Sequence, residues 1–196
     1  MPHMLFTTRR LRVRRATTED ATFIHALWTS PAVMHYVGFP RGLDVTVDEV
    51  RRQIEATNDA DFGSRLIVER IEDGRGIGQT KLGVPDDDGV CEPDIKLHPG
   101  VWGRGYGTEL WNALIDHAFE HSDARVVQGT PNRDNAASVR MQRRAGMRKV
   151  ADGVFDAHLG KAPGTVPVPY VKLQITRQEW FARRSRRQER PSTEAT

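Results

Sequence analysis

"VWGRGYGTEL", Val101 to Leu110, sets three glycines, an arginine and two aromatics directly before a stretch whose apolar residues Leu110, Trp111, Leu114, Ile115 and Ala118 recur at helical spacing. Ahead of it, "VCEPDIKL", Val90 to Leu97, reads as a strand. A glycine-rich turn that leads from a strand into a helix gathers unpaired backbone N–H groups and the positive end of the helix dipole at one place, and such a place holds phosphate. Gly103, Gly105 and Gly107 let a ligand approach that backbone because no Cβ intervenes. Two phosphate loops of fixed spacing do not fit. A Walker A loop needs Lys followed by Ser or Thr, and "GRGYGTEL" has no such pair. A dinucleotide fingerprint needs G-x-G-x-x-G after the first strand of a β-α-β unit, whereas this turn is spaced G-x-G-x-G and follows hairpins. On the loop alone, a turn that merely requires positive φ stays open beside the phosphate reading.

Upstream, "LRVRRAT" (11–17) alternates apolar and basic residues as a half-exposed strand does. Thr18 is expected to cap a helix that aligns Phe23, Ile24, Leu27 and Trp28, and a second short helix starts at Pro31. Thr46 to Ala56 reads as a third helix, with Val47, Val50 and Ile54 on one side. "RLIVERIEDGRGIGQTKLGV" (65–84) is two strand-like runs around an Asp73-Gly74 turn, a strong hairpin signal. Downstream of the glycine turn come the strand "ARVVQGTP" (124–131), the helix "RDNAASVRMQRRAGM" (133–147) ended by Gly146, and a closing strand pair in "MRKVADGVF" and "VPVPYVKLQI". The order predicts a mixed α/β (α+β) fold in a single domain over 1–184, with a disordered polar tail at 185–196.

At 196 residues, the chain can bury a core large enough for an enzyme cleft. No run approaches the roughly 18 apolar residues of a membrane span. The N-terminus "MPHMLFTTRRLRVRR" lacks the apolar centre of a secretory signal, so no membrane partner and a cytoplasmic location are expected. The single cysteine, Cys91, excludes an internal disulfide and a multi-cysteine zinc site. Apart from His117 and His121, four apart, no histidine has a partner at ligand spacing, His98 by the turn included, and no metal is expected. Formal net charge is only +3, but arginines cluster in "RRLRVRR" and "RRSRRQER". Such clusters mark a nucleic-acid module as an alternative function, yet neither interleaves the aromatics that stack bases, so nucleic acid is not the expected partner.

Together, "HPGVWGRGYGTEL" and "TPNRDNAASVRMQRRAGM" resemble the Gcn5-related N-acetyltransferase superfamily, over a span from about Leu11 to Trp180. "WGRGYGTE" is most similar to its ribosomal-protein alanine acetyltransferase branch, in which a tryptophan often stands where Trp102 does. The resemblance implies a central, mostly antiparallel sheet of about seven strands flanked by four to five helices. It implies acetyl-CoA as the acetyl donor, with the backbone amides of Gly103, Arg104, Gly105, Tyr106, Gly107 and Thr108 on its pyrophosphate. It also implies that the strand bulges near Leu97, pairs with the pantetheine arm, and polarises the thioester carbonyl through main-chain groups. Asn135 is implied to bond the pantetheine arm; read from the residues alone, it is a helix N-cap.

Acetyl transfer to an amine needs a neutral nucleophile and a proton for the departing thiolate. Glu92 and Asp94 lie two apart, so on one continuous strand both project to the same face, with Lys96 beside them. Glu92 occupies the place where many relatives carry a base, with Asp94 second. The tyrosine that protonates the thiolate in many relatives is replaced here by Gln142; Ser138 matches the serine that the alanine acetyltransferase branch is thought to use as acid or cofactor ligand. Tyr106 is expected to pack beside the cofactor. Trp28, Tyr36, Phe39 and Tyr170 are candidates for the acceptor cleft, with Asp44 and Glu92 to hold a cationic amine. The resemblance implies a primary amine as acceptor: a peptide N-terminus, a polyamine or another small molecule, with an aminoglycoside as the alternative on the likeness of "YVKLQITRQEWFARR". The protein is expected to be a monomer or a homodimer.

Overall fold

A computed structural model describes residues 3–56, 60–155 and 166–188. The strands are β1 (Met4–Thr7), β2 (Leu11–Arg15), β3 (Arg65–Arg70), β4 (Gly76–Lys81), β5 (Val90–Cys91), β6 (Asp94–Leu97), β7 (Val126–Gly129), β8 (Arg148–Phe155) and β9 (Val168–Thr176). Among them run α1 (Ala21–Trp28), α2 (Pro31–Met34), α3 (Val47–Glu55), α4 (Tyr106–His121), α5 (Ala136–Ala145) and α6 (Arg177–Gln188).

Strand alternation decides which face each residue serves. In the first sheet, ordered β1-β2-β3-β4-β6 and antiparallel throughout, Leu11, Val13, Leu66 and Val68 face α4, whose Leu110, Leu114, Ile115 and Ala118 close that core. Full burial of each Leu or Ile contributes about 1.5–3 kcal/mol. The opposite face carries Ile67 against Ile24 and Leu27 of α1 and Val50 and Ile54 of α3. The Asp73-Gly74 turn joins β3 to β4 as expected, with Gly74 at φ 66°.

The second sheet, ordered β5-β7-β9-β8, departs from expectation in a way that matters. Val90 to Leu97 is two strands, not one. Cys91 pairs in parallel with Val127 of β7, whereas Asp94 to Leu97 pair with β4 of the other sheet. Pro93 has no N–H to give a ladder, so the chain changes partner there. Among the described residues no ladder joins β6 to β7, and these two neighbours part beyond Glu92 into a wedge open at their C-terminal ends. The mixed α/β, mostly antiparallel architecture is the expected one, with its nine described strands hydrogen-bonded in two sheets of five and four. The bulge expected near Leu97 is absent, since β4 and β6 keep constant register from Gly78↔Leu97 to Lys81↔Asp94.

Helix ends show smaller differences. Thr17, not Thr18, caps the first helical turn, with the Asp20 carboxylate accepting from its N–H at 2.8 Å. Helix α6 includes 185–188, residues expected in the tail; 189–196 lie outside the described residues. Its docking explains the extension. Trp180 Nε1 donates to Asp116 of α4 at 2.8 Å, and Arg184 bonds Asp116 and Glu120. Arg177, one turn earlier, donates to the carbonyls of Phe119, Ser122 and Ala124, where α4 exposes its negative end.

Arginines near the N-terminus are engaged in the same way. Arg14 bridges Asp20 and Glu69 at 2.7 and 2.6 Å, Arg15 meets Asp61 at 2.7 Å, and Arg10 meets Glu109 at 2.7 Å. These guanidinium groups join the fold's elements to one another, a use that competes with phosphate binding.

Candidate active site

At the start of α4, Gly103 and Gly105 take φ values of 75° and 81°, the left-handed region that glycine alone enters cheaply. Gly105 is the N-cap, and no side chain caps the helix. Among the described residues, the amides of Gly103 to Thr108 make no hydrogen bond within the protein. One first-turn side chain with the right charge to fill that place, Glu109, is drawn away: its carboxylate accepts from Thr8 Oγ1 at 2.6 Å, Arg10 N at 2.8 Å and Arg10 Nε at 2.7 Å. Burial would raise the Glu109 carboxyl, but these bonds and the Arg10 charge hold it below its ordinary value. The helix therefore presents a row of free amides to an anion. Arg104 is exposed beside them, and its carbonyl accepts from Arg10 Nη1 at 3.1 Å.

Three elements meet at Gly107. A Cβ added there would stand 3.3 Å from Met141 Sδ of α5 and 3.7 Å from Leu97 Cδ1 of β6. The end of β6 thus lies against the first turn of α4. His98 N donates to Ile77 O at 2.8 Å, which makes His98 and Ile77 a hydrogen-bonded pair of the β4–β6 ladder. Pairs alternate along an antiparallel ladder, so Leu97 and Ile95 turn their N–H and C=O groups away from β4, toward the wedge. Trp102 Nε1 takes the Leu97 carbonyl at 2.8 Å, leaving the Leu97 N–H as the outward donor; the Trp102 side chain is half exposed. An extended, amide-containing arm can pair along this edge, and an oxygen acquiring charge can be held by Leu97 N–H.

Glu92 stands where the sheets part. Its Oε2 accepts from Gln128 Nε2 at 2.9 Å, and its Oε1 accepts from Thr130 Oγ1. Asp94 does not share this site, because the strand is broken between the two acids. Asp94 is exposed and paired with Lys96 on the face of β6 that looks toward α1. Cys91 is buried with its Sγ–H donating to Gly83 O at 3.1 Å, and burial pushes the thiol up to about 12, so it stays protonated and is no nucleophile.

On the α5 side, Asn135 is the N-cap: its Oδ1 accepts from Ser138 N at 3.1 Å. Ser138 is half-buried in the first turn, its hydroxyl 3.5 Å from Gln142 Nε2. Gln142 is 4% exposed, its Oε1 has no partner among the described residues, and it lies against Gly129 at the end of β7.

Other candidates sit elsewhere. Tyr106 is buried in the main core, with the Arg10 guanidinium 4.4 Å over its ring and Arg70 at its hydroxyl, so it turns away from the free amides. Trp28 is buried too. Its Nε1 donates to Gln79 at 2.8 Å and its ring carries the Arg65 guanidinium at 4.4 Å, a core role rather than a cleft wall. Phe39 packs on the same cluster. Tyr36 is exposed, edge-on to His35 at 5.0 Å, and Asp44 is exposed before α3. Tyr170 lies over Gly153 of β8, 4.5 Å from the Phe155 ring. His98 Nδ1 accepts from Gly100 N at 3.1 Å, a local cap. Gln128 and Thr130, which bond Glu92, are not among the residues expected from sequence, although alternation through "VVQGT" sets both opposite the buried Val127.

Known proteins resemble this chain to different degrees. An uncharacterized N-acetyltransferase, p20 of Bacillus licheniformis, is 25% identical over 138 residues, covering 68% of this chain and 76% of its own. The crystal structure of spermidine N-acetyltransferase from Vibrio cholerae, in complex with CoA and spermine, superposes with a TM-score of 0.75 at 19% identity, over 89% of this chain and 99% of that one. Aminoglycoside acetyltransferase AAC(6')-Ib in complex with coenzyme A gives 0.67 at 20% identity, again over 89% and 99%. These likenesses establish the fold. A family model described as an acetyltransferase (GNAT) domain matches residues 10–148, from β2 through α5, and so takes in the free helix amides, the open edge of β6 and Glu92; on that match the chain belongs to the GNAT acetyltransferase family.

Proposed function

We propose that this acyltransferase moves the acetyl group of acetyl-CoA onto a small, multiply charged primary amine, with Glu92 as the base. The observation that carries the reading is the wedge between β6 and β7, which has free amides at its mouth and one hydrogen-bonded carboxylate at its apex. Acetyl-CoA supplies the acyl group as an activated thioester. The amides of Gly103 to Thr108 hold its pyrophosphate, with Arg104 adding charge, and Ile95 and Leu97 pair with its pantetheine arm. Glu92 takes the proton that the ammonium must lose before its nitrogen can attack. Leu97 N–H then stabilises the carbonyl oxygen as charge grows on it, and as the carbon–sulfur bond breaks Ser138 Oγ–H gives its proton to the departing thiolate and regains one from the nitrogen that has become the amide.

Two structural neighbours, a spermidine and an aminoglycoside N-acetyltransferase, support the choice of a polycationic acceptor over a peptide. Release of free CoA thiol, measured with spermidine, kanamycin and an alanine-terminated peptide, tests it. Faster release with at least one of the polyamines is the expected result. Turnover of the peptide alone, or of none of the three amines, would overturn the acceptor assignment.

A further inference from the structure

Glu92 does not stand alone. Gln174 on β9 and Gln128 on β7 are directly opposed in the antiparallel register, and Gln128 falls level with Glu92 when the parallel register Cys91↔Val127 is extended by one residue. The three side chains therefore form one row across three neighbouring strands. The row is bonded from end to end: Gln174 Nε2 donates to Gln128 Oε1 at 2.8 Å, and Gln128 Nε2 donates to Glu92 Oε2 at 2.9 Å. All three are half-buried, on the face of the second sheet opposite the α4 core, where Val127, Leu173 and Ile175 are buried.

From this geometry we infer that Gln128 and Gln174 are positioning residues, a directional amide relay that fixes the rotamer of Glu92 for proton transfer. The inference rests on the reading of Glu92 as base. Its direction follows from elementary chemistry. An ionised carboxylate only accepts, so Gln128 must turn its NH2 to Glu92. That leaves the Gln128 carbonyl facing β9, where only a donor satisfies it, and Gln174 supplies one. Each amide is thereby held in one of its two orientations by the next, and Thr130 fixes the second carboxylate oxygen. A general base contributes in proportion to how well it is aimed, and a carboxylate on a two-carbon stem otherwise samples several rotamers. Packing plays no part in this row that an apolar side chain of similar volume could not play. A purely structural role predicts that shape alone matters; a relay predicts that donor polarity matters.

Substitutions at Gln174, two side chains away from the chemistry, separate the two. Gln174→Lys keeps a donor, Gln174→Leu removes it, and Gln174→Glu replaces it with an acceptor that draws the Gln128 NH2 toward itself and turns the Gln128 carbonyl onto Glu92. The expected order of kcat is wild type and Lys together, Leu lower by about threefold, and Glu lower by about tenfold or more, with the acetyl-CoA dissociation constant unchanged throughout. In a Glu92→Gln background the three variants should no longer differ, because a relay without its terminal carboxylate has nothing to aim. If Glu92→Gln lowers kcat but the Gln174 variants follow side-chain volume instead of donor polarity, the relay is wrong while the base assignment stands. If Glu92→Gln itself leaves kcat intact, the base assignment fails, and the relay with it.

Discussion

Gly105→Val is expected to abolish the rise in melting temperature that acetyl-CoA gives the unmodified protein. Gly105 caps α4 at φ 81°, and the amides that follow it have no partner in the protein. A valine there meets two obstacles. The left-handed conformation costs a side-chain-bearing residue about 1–2 kcal/mol, so the turn is drawn toward another backbone geometry. Even if the turn holds, a Cβ 3.4 Å from Arg10 Nη2 places the two methyl groups among the amides proposed to bind the phosphate. A ligand at 100 times its dissociation constant stabilises by about 2.7 kcal/mol, worth about 5–10 °C in a domain of this size. Gly105→Ala separates the obstacles, since it carries the conformational cost with little bulk and should keep part of the shift. Differential scanning fluorimetry with and without acetyl-CoA reads all three proteins. A full shift in a folded Gly105→Val would mean that the helix start does not hold the pyrophosphate.

Glu92→Gln carries the second large effect: a fall in kcat of about 10²–10³-fold, the range of a positioned acid–base group, with acetyl-CoA affinity within about twofold of wild type. The two losses part company because Glu92 belongs to β5 and β7's side of the wedge, whereas the amides proposed to bind the pyrophosphate belong to α4. Glutamine keeps the size and one acceptor but cannot take a proton. Its NH2 also meets a donor, from either Gln128 or Thr130, and a modest loss of thermal stability accompanies the substitution. Steady-state kinetics paired with equilibrium acetyl-CoA binding checks both halves, and equal losses in kcat and cofactor binding would assign Glu92 to the framework of the site instead.

How far the sequence carries depends on how local each feature is. A turn that needs positive φ is decided by its own few residues, and Gly103 and Gly105 are found where the spacing predicts. The Asp73-Gly74 hairpin and the helix expected over Thr46 to Ala56 are legible for the same reason. The break at Pro93 has a local signal, a missing N–H, but its consequence does not: that Cys91 should turn to β7 and Asp94 to β4 depends on strands far along the chain. Pairing Glu92 with Asp94 on one face failed on that point. Trp28 and Tyr106 were misplaced because the arginines over their rings, Arg65 and Arg10, are 37 and 96 residues away. Helix α6 outran the expected tail boundary because Asp116 and Glu120, on another helix, hold Arg184.

Amide hydrogen exchange with and without saturating acetyl-CoA tests the central claim most directly, since it reads the backbone groups themselves. Slower exchange on binding is predicted in two separate stretches, Ile95 to Leu97 on the open edge of β6 and Gly103 to Thr108 at the start of α4, with β1 to β3 unchanged. Protection confined to other segments, with both of these stretches exchanging as they do in the free protein, would contradict the account.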